Sequence, residues 1–407
     1  MLLSLLTTED VGGGTGQKNN KPSCQIDLCR QLIPRKRLTS TESVEAVAFG
    51  MQRKRSLGRS KIGSNWMYVL SKLSFRNENR VSATDISDLR IGGKRMKPFV
   101  KTLAASTLVV LSLASTPASA AKIGVTMSAF DDNFLTVLRN GMKKYAESQK
   151  GVDLQFEDAQ SDVGRQLNQI QNFIAQKVDA IIVNAVDTDA TPKITKLATQ
   201  AGIPLVYVNR QPADKSLPAK VAYVGSNEVD SGTLQMKEVC RLMSGKGNIL
   251  VMMGDLANQA ARQRTQDIED VIATKECNGI KILDKRTAKW QRTEGNDLMT
   301  NWISSGMKFD AVVSNNDEMA LGAVQALKAS KLLDKTIVAG IDATQDALAS
   351  MKAGDMKVTV FQNAADQGKG AVDTALKIMK GEKVPSIVWV PFELVTPANL
   401  NQYMQKN

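Results

Sequence analysis

From Lys122 onward, short runs of apolar and often β-branched residues recur along the chain, separated by segments with helical spacing. The runs Ile123–Met127, Leu154–Glu157, Ala180–Asn184, Leu205–Asn209, Val221–Val224, Ile249–Met253, Ile280–Leu283, Ala311–Ser314, Ile337–Ile341 and Val358–Phe361 predict strands. Several are apolar throughout, as strands of a parallel sheet covered by helices on both faces are. Phe134–Gln149, Arg165–Gln176 and Met319–Ser330 predict helices between them. Thr191-Pro192 reads as an N-cap and first-turn pair opening a helix to Ala201. The alternation predicts an α/β fold, and the number of strands exceeds one compact unit, so two doubly wound parallel-sheet lobes are expected.

Ahead of Lys122 the pattern changes. Met96-Lys97-Pro98-Phe99-Val100-Lys101 is a short basic start, Leu103 to Ala114 is an uncharged apolar run, and Ala118-Ser119-Ala120 is an A-x-A site. These are the three parts of a secretory signal peptide, predicting cleavage after Ala120 and a soluble protein in the periplasm. A membrane-spanning helix needs ~20 apolar residues, more than this run holds, and Ala121 is not a cysteine that could carry a lipid. Residues 1–95 are basic, rich in Ser, Asn and Gly, and without a sustained period. The expectation is that they are an untranslated extension and that Met96 is the true start, because codons for Gly92-Gly93 can spell a bacterial ribosome-binding site; the alternative is a real extension, which the gene's nucleotide sequence would decide.

Charge follows the same division. Of the net +12 of the 407 residues, +11 belongs to residues 1–120, and the body from 121 on carries 34 Lys+Arg against 33 Asp+Glu. A near-neutral body offers no electrostatic footprint for nucleic acid. The chain contains no histidine, which excludes Ser-His-Asp and Cys-His nucleophiles and His-ligated zinc or haem. Gly12–Lys18 only faintly resembles a phosphate loop, since Gln17 stands where glycine is needed and Asn19 where Ser or Thr is. No cofactor or metal is expected.

Ligands of open parallel sheets sit beyond the carboxyl ends of the strands. The residues there are Asp131-Asp132, Asn184 with Asp187, Asn209-Arg210, Asn315-Asn316-Asp317, Asp342 and Gln362-Asn363. Nearly all are planar amides, carboxylates or a guanidinium, which give paired, directional hydrogen bonds to adjacent hydroxyls. Phe134 and Trp290 supply aromatic faces for a sugar ring. Each also has a plainer reading: Asp317 as cap of the helix through Leu321, Phe134 as core, and an isolated Asn as a turn residue. Arg262 and Arg264 open a helix, where the dipole disfavours cations, so one of them is expected to bind something. The set holds no nucleophile–base pair and reads as a polyol site without chemistry.

At these residues the chain resembles the periplasmic sugar-binding proteins of ABC importers, in the ribose-binding branch (type I periplasmic binding proteins). The segments Ile123–Leu135, Ile182–Asp189, Ile203–Gln211, Ala260–Arg264, Asn316–Gly322, Gly340–Asp342 and Phe361–Asn363 carry the likeness across essentially all of 122–407. It implies two α/β lobes joined by a three-crossover hinge with ligand in the cleft: an N-terminal lobe of 121–225 plus 362–390 and a C-terminal lobe of 226–361 plus 391–407. The implied ligand-facing set is Asp132, Phe134, Leu135, Asn184, Asn209, Arg210, Arg264, Trp290, Asn316, Asp342 and Gln362, choosing Arg264 over Arg262. Ribose binders carry Asn at the position of Asp132, Asp at that of Asn209 and an aromatic at that of Leu135. The Phe-Asp-Asp-Asn-Phe run and Val-Tyr-Val-Asn-Arg-Gln look closest to rhizobial inositol and rhizopine (amino-inositol) binders, so a cyclitol is expected over a pentose. An importer permease is the implied partner, with a chemoreceptor as a compatible second one and a monomer as the expected state.

Cys240 and Cys277 remain in the exported part, where an oxidising compartment favours a disulfide; the alternative is two separate buried thiols. Two other function classes compete with this reading. A sugar-responsive repressor would carry a helix-turn-helix where this chain has an export signal. A periplasmic polyol enzyme would consume its ligand, and only paired carboxylates favour it.

Overall fold

The computed structural model describes residues 90–91, 94–95 and 120–406. The expected extension, apart from four residues, and the expected signal peptide up to Ser119 lie outside the described residues. Arg90–Ile91 and Lys94–Arg95 pair as a short antiparallel ladder; the body from residue 120 is described by itself.

The body begins with strands β1 (Ala121–Met127), β2 (Val152–Asp158), β3 (Ala180–Val183), β4 (Leu205–Val208) and β5 (Val221–Gly225), alternating with helices α1 (Asn133–Ser148), α2 (Val163–Ala175) and α3 (Thr191–Gln200). After β5 the chain leaves for a second sheet, through α4 (Glu228–Leu242), β6 (Lys246–Met253), α5 (Gln259–Ile272), β7 (Gly279–Thr287), α6 (Arg292–Ser304), β8 (Ala311–Ser314), α7 (Asp317–Ala329), β9 (Ile337–Ala339), α8 (Gln345–Lys352) and β10 (Thr359–Gln362). It then returns as α9 (Ala364–Met379) and β11 (Ile387–Trp389), and crosses once more to β12 (Phe392–Val395). The first sheet has the order β11-β5-β4-β3-β1-β2 and is parallel throughout. The second has the parallel order β9-β8-β6-β7. Bridges at Ala339–Val358 and Asp342–Phe361 attach β10 to its edge, and β12 pairs antiparallel with β10. Two doubly wound lobes thus exchange the chain three times.

The apolar runs at the centre of each sheet are strands because both of their faces are buried. Along β8, Ala311 and Val313 join Met236, Val239 and Ile268 on one side, while Val312 joins Leu250, Met319 and Leu327 on the other. That is the period of two expected of a strand. In the first lobe, Ile181 and Val183 pack with Phe173 and Tyr207, and Ile182 packs with Val125, Leu138 and Val372. Helices α1 and α9 cross closely: a Cβ on Gly141 would strike the Ala365 backbone, and one on Gly368 the Leu138 carbonyl.

Two local expectations are corrected. Thr191 is not the cap of α3. A short 3₁₀ turn at Thr188–Ala190 already bends the chain, Ala190 occupies the cap position, and Thr191 is the first helical residue. Its hydroxyl donates to the Thr188 carbonyl (2.6 Å) and accepts from Ala213 N (2.9 Å). Nor is Asp317 the cap of α7: Asn316 is, its Oδ1 accepting from Met319 N at 3.0 Å. Asp317 instead turns into the lobe and accepts from Thr359 Oγ1 (2.8 Å) and Thr344 N (2.9 Å). Burial pushes its carboxyl up to about 7. Cys240, near the end of α4, and Cys277, in the turn after α5, form a disulfide with an S–S distance of 2.06 Å.

Candidate functional site

In each sheet the strand order reverses once, between β1 and β3 in the first and between β6 and β8 in the second. Loops on either side of such a reversal diverge and leave a crevice beyond the strand ends. Here the two crevices face each other across a small cavity of about 40 Å³. The first lobe contributes Asp132, Phe134, Leu135, Asn209 and Arg210 to the lining, the second Glu228, Asn258, Ala260, Arg264, Trp290, Asn316 and Asp342, and Gln362 stands at the crossover between them.

Asp132 stands at the N-cap of α1. One of its carboxylate oxygens accepts from Leu135 N at 2.8 Å, and the other takes no part in the cap. Burial raises its pKa, against the pull of that N–H and of Arg210. Phe134 and Leu135 follow at once on the first turn, so the cap that starts the helix also sets two apolar side chains against the cavity; both belong to the core as well. Arg210 is held by the carbonyl of Ala185, to which its Nη1 donates at 2.8 Å.

Asn209, Trp290 and Asp342 have φ of 65°, 68° and 125°. Asn tolerates the left-handed region, but Trp and Asp do so at a cost, and such strain gathers where a surrounding structure forces side chains into a site. The Trp290 ring lies against Gly254, where an added Cβ would fall inside the indole. Glycine at 254 is what gives the ring its place.

The second lobe has its charge at the centre. Arg264 is 4% exposed; its Nε donates to Glu228 Oε2 at 2.7 Å and its Nη1 to the Asn315 carbonyl at 2.7 Å. Asp342 Oδ1 lies 3.9 Å from Nη1. Burial opposes the guanidinium's charge, but Glu228 and Asp342 outweigh it and raise its pKa. Burial drives the Asp342 carboxyl well above the usual carboxylate range, Arg264 pulling against it.

The structure gathers ten of the eleven expected side chains around the cavity. Asn184 is the exception. It is fully buried behind the wall, where its Oδ1 accepts from Ser128 Oγ (2.6 Å) and its Nδ2 donates to Asn209 Oδ1 (3.2 Å). Asn184 therefore orients Asn209. Glu228, Asn258 and Ala260 line the cavity without having been foreseen. Asn258 could have been found as the cap of α5, its Oδ1 accepting from Ala260 N; Glu228 follows a crossover and has no local signal.

Arg262, the other cation opening α5, faces the opposite lobe. It meets Asp189 at 3.0 Å and Thr188 Oγ1 at 3.3 Å. Thr188 is buried at this junction: its N and Oγ1 donate to the Ala257 carbonyl (3.0 and 3.1 Å), and its Oγ1 accepts from Gln259 N (3.1 Å). On another side of the cavity, Asn133 Nδ2 donates to Glu318 Oε1 at 2.8 Å, and Arg292 holds Glu318. The lobes are thus fastened together outside the cavity. Among the described residues, no group of His, Cys, Asp and Glu has the arrangement of a metal site.

A two-lobed α/β body with a polar, aromatic-faced cavity between lobes defines a solute-binding protein, and the sequence matches the periplasmic binding protein domain family over residues 123–383. The chain belongs to this family, which places it in the periplasm. It is 59% identical over 314 residues to a Rhizobium meliloti protein named for rhizopine binding, a match covering 77% of this chain and all of that relative. It is also similar to a solved solute-binding protein of an ABC transporter from Bacillus halodurans with bound myo-inositol, at 43% identity and a TM-score of 0.68, covering 72% of this chain and all of that one. A Caulobacter myo-inositol binding protein, bound to myo-inositol, is 26% identical with a TM-score of 0.66, covering 71% of this chain and 97% of that one.

Proposed function

We propose that the protein captures a cyclitol, myo-inositol or an amino-inositol of the rhizopine type, and delivers it to an ABC importer in the membrane. The observation that carries this reading is the lining itself. Carboxylates, amides and guanidinia surround the faces of Trp290 and Phe134, so equatorial hydroxyls can be paired around the edge of a ring whose C–H faces lie on aromatics. The names of the relatives support the same ligand class. In the first lobe Asp132 caps α1 and Asn209 follows β4, and an ammonium substituent would pair with Asp132 or Asp342.

Ligand binds to an open cleft, the lobes close by hinge motion, and the closed form presents both lobes to the permease. Closure excludes water and strengthens the charged hydrogen bonds to the ligand. In this reading the lobes are 121–225 plus 362–390 and 226–361 plus 391–407, the mature chain begins at Ala121, and ligand is released unchanged.

Titration calorimetry with myo-inositol, scyllo-inosamine and ribose tests the assignment. Tight cyclitol binding with little response to ribose supports it; ribose binding more tightly than either cyclitol overturns it. Recovery of the ligand intact after incubation separates binding from turnover.

A further inference from the structure

Arg264 is expected to touch the ligand, yet its guanidinium is almost wholly engaged by protein. Arginine has five N–H donors. Nε donates to Glu228 Oε2 at 2.7 Å, Nη2 to Glu228 Oε1 at 3.3 Å and to Gln362 Oε1 at 3.4 Å, and Nη1 to the Asn315 carbonyl at 2.7 Å. Among the described residues one N–H finds no acceptor, on Nη1, the nitrogen 3.9 Å from Asp342 Oδ1. That spacing is too long for a direct hydrogen bond, and a ligand hydroxyl set beside both groups could accept from Arg264 while donating to Asp342.

Three of the groups that hold this orientation lie at significant places in the chain. Glu228 opens α4 immediately after the first crossover, Gln362 ends β10 at the second, and Asn315 follows β8. The Glu228 carboxylate is only 2% exposed, and Ser231, whose hydroxyl donates to the Glu228 carbonyl at 2.8 Å, also lies 3.2 Å from Oε2. We infer that Glu228 is a positioning residue: its two-pronged grip on Arg264 turns the one unspent N–H toward the ligand, and because Glu228 and Gln362 both sit in crossovers, the grip ties ligand contact to hinge geometry. This rests on the ligand reading above for the statement that Arg264 meets a hydroxyl, but not for the geometry of the pair.

The test is a double-mutant cycle on the full chain with myo-inositol. Glu228→Gln and Arg264→Lys are each expected to weaken binding roughly ten- to hundredfold, as loss of a charged hydrogen-bond pair does. The double variant should lose no more than the weaker-binding single one. Losses that multiply, or wild-type affinity in Glu228→Gln, overturn the proposal. Glu228→Asp keeps the charge with a shorter reach, and near wild-type affinity there would also contradict a role set by geometry. Should the wild type bind none of the three ligands, the functional reading falls by itself. The pair is then judged without ligand, by the ¹⁵N NMR signal of the Arg264 Nε–H. That signal should be shifted and slow to exchange in the wild type and should join the free arginines in Glu228→Gln; an unchanged signal overturns the inference.

Discussion

Thr188 offers a way to change affinity without touching the cavity. Its hydroxyl belongs to the first lobe and, among the described residues, meets groups of the second: it donates to the Ala257 carbonyl at 3.1 Å and accepts from Gln259 N at 3.1 Å and from Arg262 Nη2 at 3.3 Å. In an open cleft the same groups meet water, so the contacts count only when the lobes are shut. Thr188→Val keeps the shape and removes the hydroxyl. Arg262 retains Asp189, which leaves two hydrogen bonds to lose, each with a net value of about 0.5–1.5 kcal/mol. The closed state is therefore weakened by about 1–3 kcal/mol, and the apparent Kd rises roughly 5- to 150-fold. The fastening forms after encounter, so the change should fall on the dissociation rate. Stopped-flow kinetics alongside calorimetry read this directly, with the melting temperature of the ligand-free protein as a control. A Kd within twofold of wild type, or a slower association with unchanged dissociation, would refute the reasoning.

Exchanging the carboxylate and amide, Asp132→Asn with Asn209→Asp, should raise ribose affinity and lower cyclitol affinity, each by roughly ten- to hundredfold, read by titrating both ligands into the double variant. Gly254→Ala should push the Trp290 ring from its seat and weaken binding at least about tenfold, with a changed tryptophan emission spectrum as the structural check. Burial lifts the Asp267 carboxyl from 3.8 to about 7. The folded protein then keeps a proton that the unfolded chain has lost, so the stability tied to this group is whole below pH 3.8 and disappears as the pH rises through 7. Asp267→Asn should accordingly melt with the wild type at about pH 4 and above it at about pH 8; melting curves that differ by the same amount at both values would count against this assignment.

Much of this was legible because parallel strands are buried on both faces and announce themselves as unbroken apolar runs. Their carboxyl ends then mark the cavity without any further geometry, which is why Asn209, Asn316 and Asp342 could be found from position alone. Where two polar neighbours compete for one role, sequence is a weaker guide. Asn316 and Asp317 are both able to cap a helix, and only the direction of β8 decides that Asn316 caps while Asp317 turns inward to Thr359. Asn184 has the right place at a strand end, but its side chain is recruited by Ser128 and Asn209. Strands β11 and β12 are only partly buried, and Pro391 breaks the apolar run that contains them. Glu228 was invisible because its partner is 36 residues away, and distance along the chain carries no trace of a salt bridge.

The interleaving of the lobes also orders events during synthesis. The lobe that begins at Ala121 cannot be finished when β5 leaves the ribosome, because Ala371, Val372, Ala375 and Ile378 of α9 complete the core around Ile123, Leu138 and Ile182. The last sheet position beside β5 is filled by β11, near the end of the chain. The half made first therefore stays open until nearly the last residue has appeared, with one face of its sheet and the α1 flank exposed. A nascent chain in that condition has no folded obstacle to thread through a translocation pore, and it is also the form in which a chaperone or a protease would find it.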